Sequence, residues 1–272
     1  MTSFQLTGAD GGPLRGDVRR AKDARAAVVI CHGFKGFKDW GFYPMVTDRL
    51  ARAGFAVVSF NYSGSGVGED GLTFSEPERF GHGTYTNHLQ DLDVVLHALR
   101  DGLLGPPPTS LGLLGHSMGG GIAALRAAAD PVVESLVTWA ATARFGRLWR
   151  SDQVEEWRRT GKIDVTNQRT GQILPLYADM LEDWENNRAA LDVTTAAGRV
   201  RVPWLIVHGA ADESVPVSDA QDLLARAPTA HTLIVEGAGH TFGIVHPWAG
   251  STAAFDRVLD ATAEWFTRYL RA

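Results

Sequence analysis

A serine, a carboxylate and a histidine, each in a glycine-rich loop next to an apolar run, could together carry out acyl transfer in this chain. The serine is Ser117, in Gly115-His116-Ser117-Met118-Gly119. It follows the apolar run Leu111–Leu114 and precedes the Ala-rich, helix-favouring stretch Gly120–Ala129. A serine on a sharp strand-to-helix turn has its hydroxyl pushed into the open, and glycines two positions either side leave room for so tight a backbone. With 30 glycines in 272 residues, a bare G-x-S-x-G arises by chance about 0.15 times per chain. The strand before it and the helix after it therefore carry the reading.

A serine hydroxyl needs a base to take its proton as it attacks, and histidine suits this near neutral pH. Of nine histidines, His240 is best placed, in Glu236-Gly237-Ala238-Gly239-His240-Thr241-Phe242 directly after a strand pattern. His246 is a weaker second candidate. The imidazole needs a carboxylate on its other nitrogen. Asp212, in His208-Gly209-Ala210-Ala211-Asp212-Glu213-Ser214-Val215-Pro216, also follows a strand, with Glu213 as the alternative. Attack on an acyl carbon makes an oxyanion that needs preorganised donors. The backbone N–H of Met118, just after the nucleophile, is one. Phe34, in the loop after the run Ala26–His32, offers the second. His32, His116 and His208 read as residues bracing loops or ending a strand.

Positioning these groups takes a sheet. Ser3–Leu6 and Leu14–Arg20 read as two antiparallel strands around a turn. Further strands are expected at Ala26–His32, Phe55–Phe60, around Leu111–Leu114, and at Ser135–Ala140, Val202–His208 and Thr232–Val235. Helices are expected at Tyr43–Ala53, Thr84–Arg100, Gly120–Ala129, Val217–Ala227 and Ser251–Leu270. This alternation predicts an α/β fold with a mostly parallel sheet and helices on both faces. Catalytic groups of such sheets gather at the carboxyl ends of the strands. The core is expected at 1–140 and 202–272.

The interruption, 141–201, is too long for a connecting loop and carries its own apolar residues, so it reads as an inserted lid. A hairpin is expected at Lys162–Thr166 and Gln172–Leu174 around Asn167-Gln168-Arg169-Thr170-Gly171. Trp149, Trp157, Tyr177 and Trp184 are candidates for an aromatic substrate pocket, or for the insertion's own core. Lys35 and Lys38 could attract a carboxylate-bearing substrate, or be solvated loop lysines.

A net charge of −5 and the lack of a basic run with interleaved aromatics speak against nucleic acid as a partner. The single cysteine, Cys31, reads as a small buried strand residue. No Cys/His metal spacing occurs, and no cofactor is expected. Met1–Gly16 has no signal-peptide pattern, and no apolar run is long enough to cross a bilayer. A cytoplasmic location and no membrane partner follow as expectations. A homodimer is compatible with the sequence.

The chain resembles α/β-hydrolase-fold serine hydrolases over nearly its whole length. The likeness runs through HGF at His32–Phe34, GHSMG at Gly115–Gly119, HGAADESVP at His208–Pro216 and GAGHTF at Gly237–Phe242. The order Ser117, Asp212, His240 is that family's order. The HGF loop and the insertion after the sixth strand resemble the carboxylesterase and cinnamoyl (feruloyl) esterase group. Dienelactone-hydrolase-like and serine-peptidase-like groups are also similar, but the former usually carry a cysteine nucleophile. The resemblance implies a carboxylic ester hydrolase with an acyl-enzyme on Ser117 and a small or aromatic acyl group. A small peptidase, amidase or thioesterase would use the same triad. A catalytically inactive ligand-binding module is the alternative of another class.

Overall fold

The chain opens with two antiparallel strands, β1 (Thr2–Thr7) and β2 (Pro13–Arg20), in a computed structural model that describes residues 1–167 and 171–270. β2 runs antiparallel to β4 (Ala56–Asn61), and from there the sheet is parallel. It continues through β3 (Ala26–Cys31), β5 (Ser110–His116), β6 (Ser135–Trp139), β9 (Trp204–Gly209) and β10 (Ala230–Val235). The order is β1-β2-β4-β3-β5-β6-β9-β10. Strands β3, β4, β5, β6 and β9 are buried along their whole length, which is why they read as continuous apolar runs rather than alternating ones. β10, at the edge, is mostly exposed or half-buried.

Helices α1 (Tyr43–Arg52) and α9 (Ala253–Tyr269) pack together, while α3 (Tyr85–Arg100), α4 (Met118–Ala129), α7 (Val193–Ala197) and α8 (Val217–Arg226) form a second group. α3 and α9 start at threonine caps, Thr84 and Thr252, whose side chains accept from Asn87 N and Phe255 N. Two buried indoles are satisfied within the core: Trp139 Nε1 donates to Thr262 Oγ1 and Trp204 Nε1 to Thr138 Oγ1, both at 2.9 Å.

A short helix that the sequence reading missed, α2 (Pro77–Gly81), follows the glycine-rich loop after β4. The insertion 141–201 lies outside the main sheet. It contains α5 (Ser151–Thr160), the hairpin β7 (Lys162–Thr166) and β8 (Ile173–Tyr177), α6 (Asp179–Asn186) and α7. β8 runs further than the expected Gln172–Leu174. Of the expected hairpin turn, residues 168–170 lie outside the described residues.

The turn between β5 and α4 is fixed by close approach. A Cβ on Gly119 would sit 2.4 Å from the carbonyl oxygens of Cys31 and His32, and one on Gly115 would sit 2.3 Å from the carbonyl of Gly119. α4 therefore begins at Met118, before the glycines, because only bare Cα atoms let it lie against β3. Gly119→Ala is expected to cost about 1–3 kcal/mol of stability by overpacking. A thermal melt that reads the wild-type midpoint would overturn this account of the turn.

Candidate active site

Ser117 occupies the turn between β5 and α4 with φ 57° and ψ −122°, a sparsely populated conformation for a residue with a Cβ. Its neighbours hold it there. The Ser117 N–H donates to Trp139 O at 2.9 Å, and the Ser117 carbonyl accepts from the N–H groups of Gly120, Gly121 and Thr142. A Cβ on Gly33 would lie 3.0 Å from Ser117 Cβ, so the loop after β3 runs directly beside the nucleophile candidate. His32 Nδ1–H donates to the Gly33 carbonyl at 2.9 Å and braces that loop. Among the described residues, neither the Phe34 nor the Met118 N–H has a backbone acceptor. Both donors expected for an oxyanion are thus uncommitted, on the two segments that meet at Ser117.

The loops after β9 and β10 bring the other two groups together. Ala210 N donates to Val235 O and Ala211 N to Ala238 O, each at 2.9 Å. These bonds fix the spacing of the two loops. His240 Nδ1–H donates to Asp212 Oδ2 at 2.8 Å. Asp212 Oδ1 accepts from Ser214 N at 2.8 Å and Val215 N at 2.9 Å. Burial alone would push the Asp212 carboxyl up. Hydrogen bonds from His208 and His240, the charge on His240 and the Val215 N–H outweigh it, and hold the carboxyl well below the usual range.

Ser117 and His240 line one cavity of about 90 Å³, with Trp40, Tyr43, Thr241, Lys35 and the Gly33–Phe34 loop. His116 Nε2–H donates to the His240 carbonyl at 3.0 Å, and the two rings lie 4.7 Å apart.

The remaining candidates separate. The Trp149 ring lies 5.3 Å from the Phe34 ring, and its Nε1–H donates to Tyr85 Oη at 3.0 Å. Trp157 is fully buried against Trp149. Tyr177 stacks on His82 and donates to Glu78 Oε2 at 2.7 Å. Trp184 lies under Arg188 in a separate cavity of about 430 Å³. None of these four aromatic residues lines the Ser117 cavity; Trp149 reaches it only through its contact with Phe34. Lys38 pairs with Asp17 and Asp39 and is nearly buried, while Lys35 Nζ donates to Thr166 O at 3.1 Å. His246 accepts from Gly41 N at Nδ1 and lies outside the cavity lining. Trp40, Tyr43 and Thr241 were not singled out in the sequence, because nothing in their spacing marks the face they turn to the cavity.

A family profile described as "Serine aminopeptidase, S33" matches residues 22–164, just over half of the chain. The chain belongs to this α/β-hydrolase family. It is therefore a serine hydrolase by family. Over 249 residues it is 27% identical to 2,6-dihydropseudooxynicotine hydrolase of Paenarthrobacter nicotinovorans, covering 86% of this chain but only 59% of that protein. Among solved structures it is similar to a putative hydrolase from Agrobacterium vitis, with TM-score 0.75, 21% identity and 97% and 98% of the two chains covered. It is also similar to Est1E from Butyrivibrio proteoclasticus with ferulic acid bound, with TM-score 0.72, 20% identity and 98% of each chain covered. At these identities the structural likeness shows the shared fold alone.

Burial holds three imidazoles in this region neutral. It lowers His32 to about 4, His88 to about 3 and His116 to about 3, the last helped by the charge of His240. In the unfolded chain each takes up its proton near the ordinary value of 6.5. The unfolded state therefore binds more protons below that pH. This contribution to stability is complete above 6.5 and is lost as pH falls toward 3, by up to about 1.4 kcal/mol per pH unit for each histidine. Urea midpoints should fall steadily from about pH 7 to about pH 4.5, and a flat series would contradict the burial of these rings.

Proposed function

We propose that the protein is a cofactor-independent esterase acting on small carboxylic esters, with Ser117, Asp212 and His240 as its triad. His240, held through Nδ1 by Asp212, takes the Ser117 proton at Nε2 as the hydroxyl attacks the ester carbonyl. The Phe34 and Met118 N–H groups bind the oxyanion. His240 then protonates the departing alcohol, and water activated by the same imidazole releases the acid from Ser117. The observation that carries this reading is the cavity shared by Ser117 and by a histidine already bonded to a buried carboxylate.

Two features support a small ester. The cavity, about 90 Å³, is smaller than the roughly 150 Å³ apolar cavity that takes up benzene. Phe34, on the cavity lining, also meets Trp149 of the insertion 141–201 edge to face, and we read that insertion as a lid. A cytoplasmic location and a small-molecule substrate, with no nucleic acid or membrane partner, belong to the same proposal.

The family description favours a second reading, removal of an N-terminal residue from a peptide. Such a substrate carries an ammonium group. The lining of the Ser117 cavity contains Lys35 and, among the described residues, no Asp or Glu, so it would repel that charge rather than bind it.

The test compares p-nitrophenyl acetate, methyl ferulate, an acyl-CoA and an alanyl anilide. The acetate should be the best substrate, and a preference for the anilide would establish the peptidase instead. Ser117→Ala should lower kcat by at least about 10³-fold while the fold is kept. If a fluorophosphonate leaves the wild-type mass unchanged, the inactive binding module is correct.

Trp149→Ala removes the ring packed against Phe34. It should raise the ferulate-to-acetate ratio of kcat/KM by about 10-fold or more. An unchanged ratio would place that ring outside the acyl-binding region.

A further inference from the structure

We propose that His208 is a positioning residue of the catalytic site, fixing the carboxylate of Asp212 through its Nε2–H. The proposal rests on the triad reading above and adds a second imidazole to the carboxylate. His208 lies near the end of β9, fully buried. Its Nε2 is 2.9 Å from the Val215 carbonyl and 3.3 Å from Asp212 Oδ2. Both neighbours are acceptors, so the hydrogen must sit on Nε2, shared between them. That leaves Nδ1 as a bare lone pair, and among the described residues it has no partner.

A buried ring with an unsatisfied nitrogen is a poor core filler, since an apolar side chain of similar size avoids the desolvation penalty. What His208 supplies that such a residue cannot is the donor at Nε2. Asp212 accepts hydrogen bonds from Ser214 N and Val215 N on Oδ1 and from His240 Nδ1 on Oδ2, and His208 Nε2 stands 3.3 Å from the same Oδ2 as a longer, fourth polar contact. Val215 closes the arrangement, donating to Asp212 through its N–H and accepting from His208 through its carbonyl.

Two consequences follow. The carboxylate cannot rotate away from His240 without breaking bonds at both oxygens. The donor from His208 also draws on the charge that Oδ2 presents to His240, which moderates how strongly the imidazolium is favoured. The titratable or charged groups facing this cluster are Asp212 and His240, His116 from the end of β5, and Lys35 across the cavity. His116 stays neutral down to about pH 3 by burial, and lysine keeps its charge through the acidic range. The acid limb of the rate profile is therefore the readout for a change at the Asp212 loop.

The experiment measures kcat, KM and the pH profile of kcat/KM with p-nitrophenyl acetate. His208→Met and His208→Leu remove the donor, and His208→Gln keeps an amide N–H at similar reach. Met and Leu should lower kcat about 10-fold with KM within about 2-fold, and move the acid limb to higher pH by about half a unit. Gln should recover most of both effects. In an Asp212→Asn background, His208→Met should cost far less than in the wild type, since the two act as one unit.

Wild-type kcat and limb position in His208→Met would overturn the proposal. So would Gln as impaired as Met, or additive losses in the double variant, either of which would make the ring only structural. If Leu does not fold, Met and Gln decide the matter. Full turnover in Ser117→Ala, whatever His208 variants do, would instead remove the triad reading beneath the proposal.

Discussion

The backbone of Ser117 cannot relax. Its φ of 57° is of the kind that costs about 1–3 kcal/mol when a side chain is present, and it persists because the surroundings allow no other path. The residue before it ends a buried strand, the residue after it starts a helix, and its own carbonyl accepts three N–H groups. The glycines at 115 and 119 are needed because strand and helix approach at distances that exclude a Cβ. Gly33 does the same for the neighbouring loop. One steric constraint thus sets Ser117 on the cavity lining and draws in the loop that bears Phe34. The Asp212 and His240 loops are set by a separate device, backbone bonds between the ends of β9 and β10. The sheet then only has to hold β5 and β9 in register with β6 between them.

Much of this was legible in the sequence. The continuous apolar runs named the buried strands, and the chain order Ser117, Asp212, His240 put the three groups after strand ends. What was less legible depended on faces and neighbours. α2 is five residues long, too short for periodicity to show, although Pro77 flanked by Glu76 and Glu78 is a helix-start signal. Trp149, Trp157, Tyr177 and Trp184 were alike as aromatic residues in one insertion. Only packing separates Trp149, beside Phe34, from Trp157 in the insertion's interior and from the other two at its margins. His208 could be read as the end of a strand, but its bond to Asp212 depends on the curl of the loop between them, which residue types do not specify.

The insertion is built differently from the sheet it covers. Its interior is apolar, around Trp157, Leu174, Leu176 and Leu181. Its hydrogen bonds to the core include Lys35 to Thr166 O, Gln172 to Phe74 O, Tyr177 to Glu78, and Thr86 to Asp183. Polar contacts at a partly wet boundary contribute less per bond than buried apolar area. Lys35 matters here because it links the two parts, touching the cavity lining on one side and the end of β7 on the other.

Three imidazoles cluster at the candidate site, and an acyl-transfer site needs one of them to exchange protons with substrate. Burial makes the distinction. His116 is desolvated and held neutral, and its Nε2–H holds the His240 carbonyl. His208 has no exposed surface and both its contacts run to the Asp212 loop. His240 alone of the three keeps about a fifth of its side chain exposed, with its Nδ1 already committed to Asp212 and its ring on the Ser117 cavity. The same apolar enclosure that holds His116 neutral leaves both buried rings suited to holding backbone and carboxylate in place. The division of labour among the histidines is thus a consequence of depth in the fold, since all three have the same side chain.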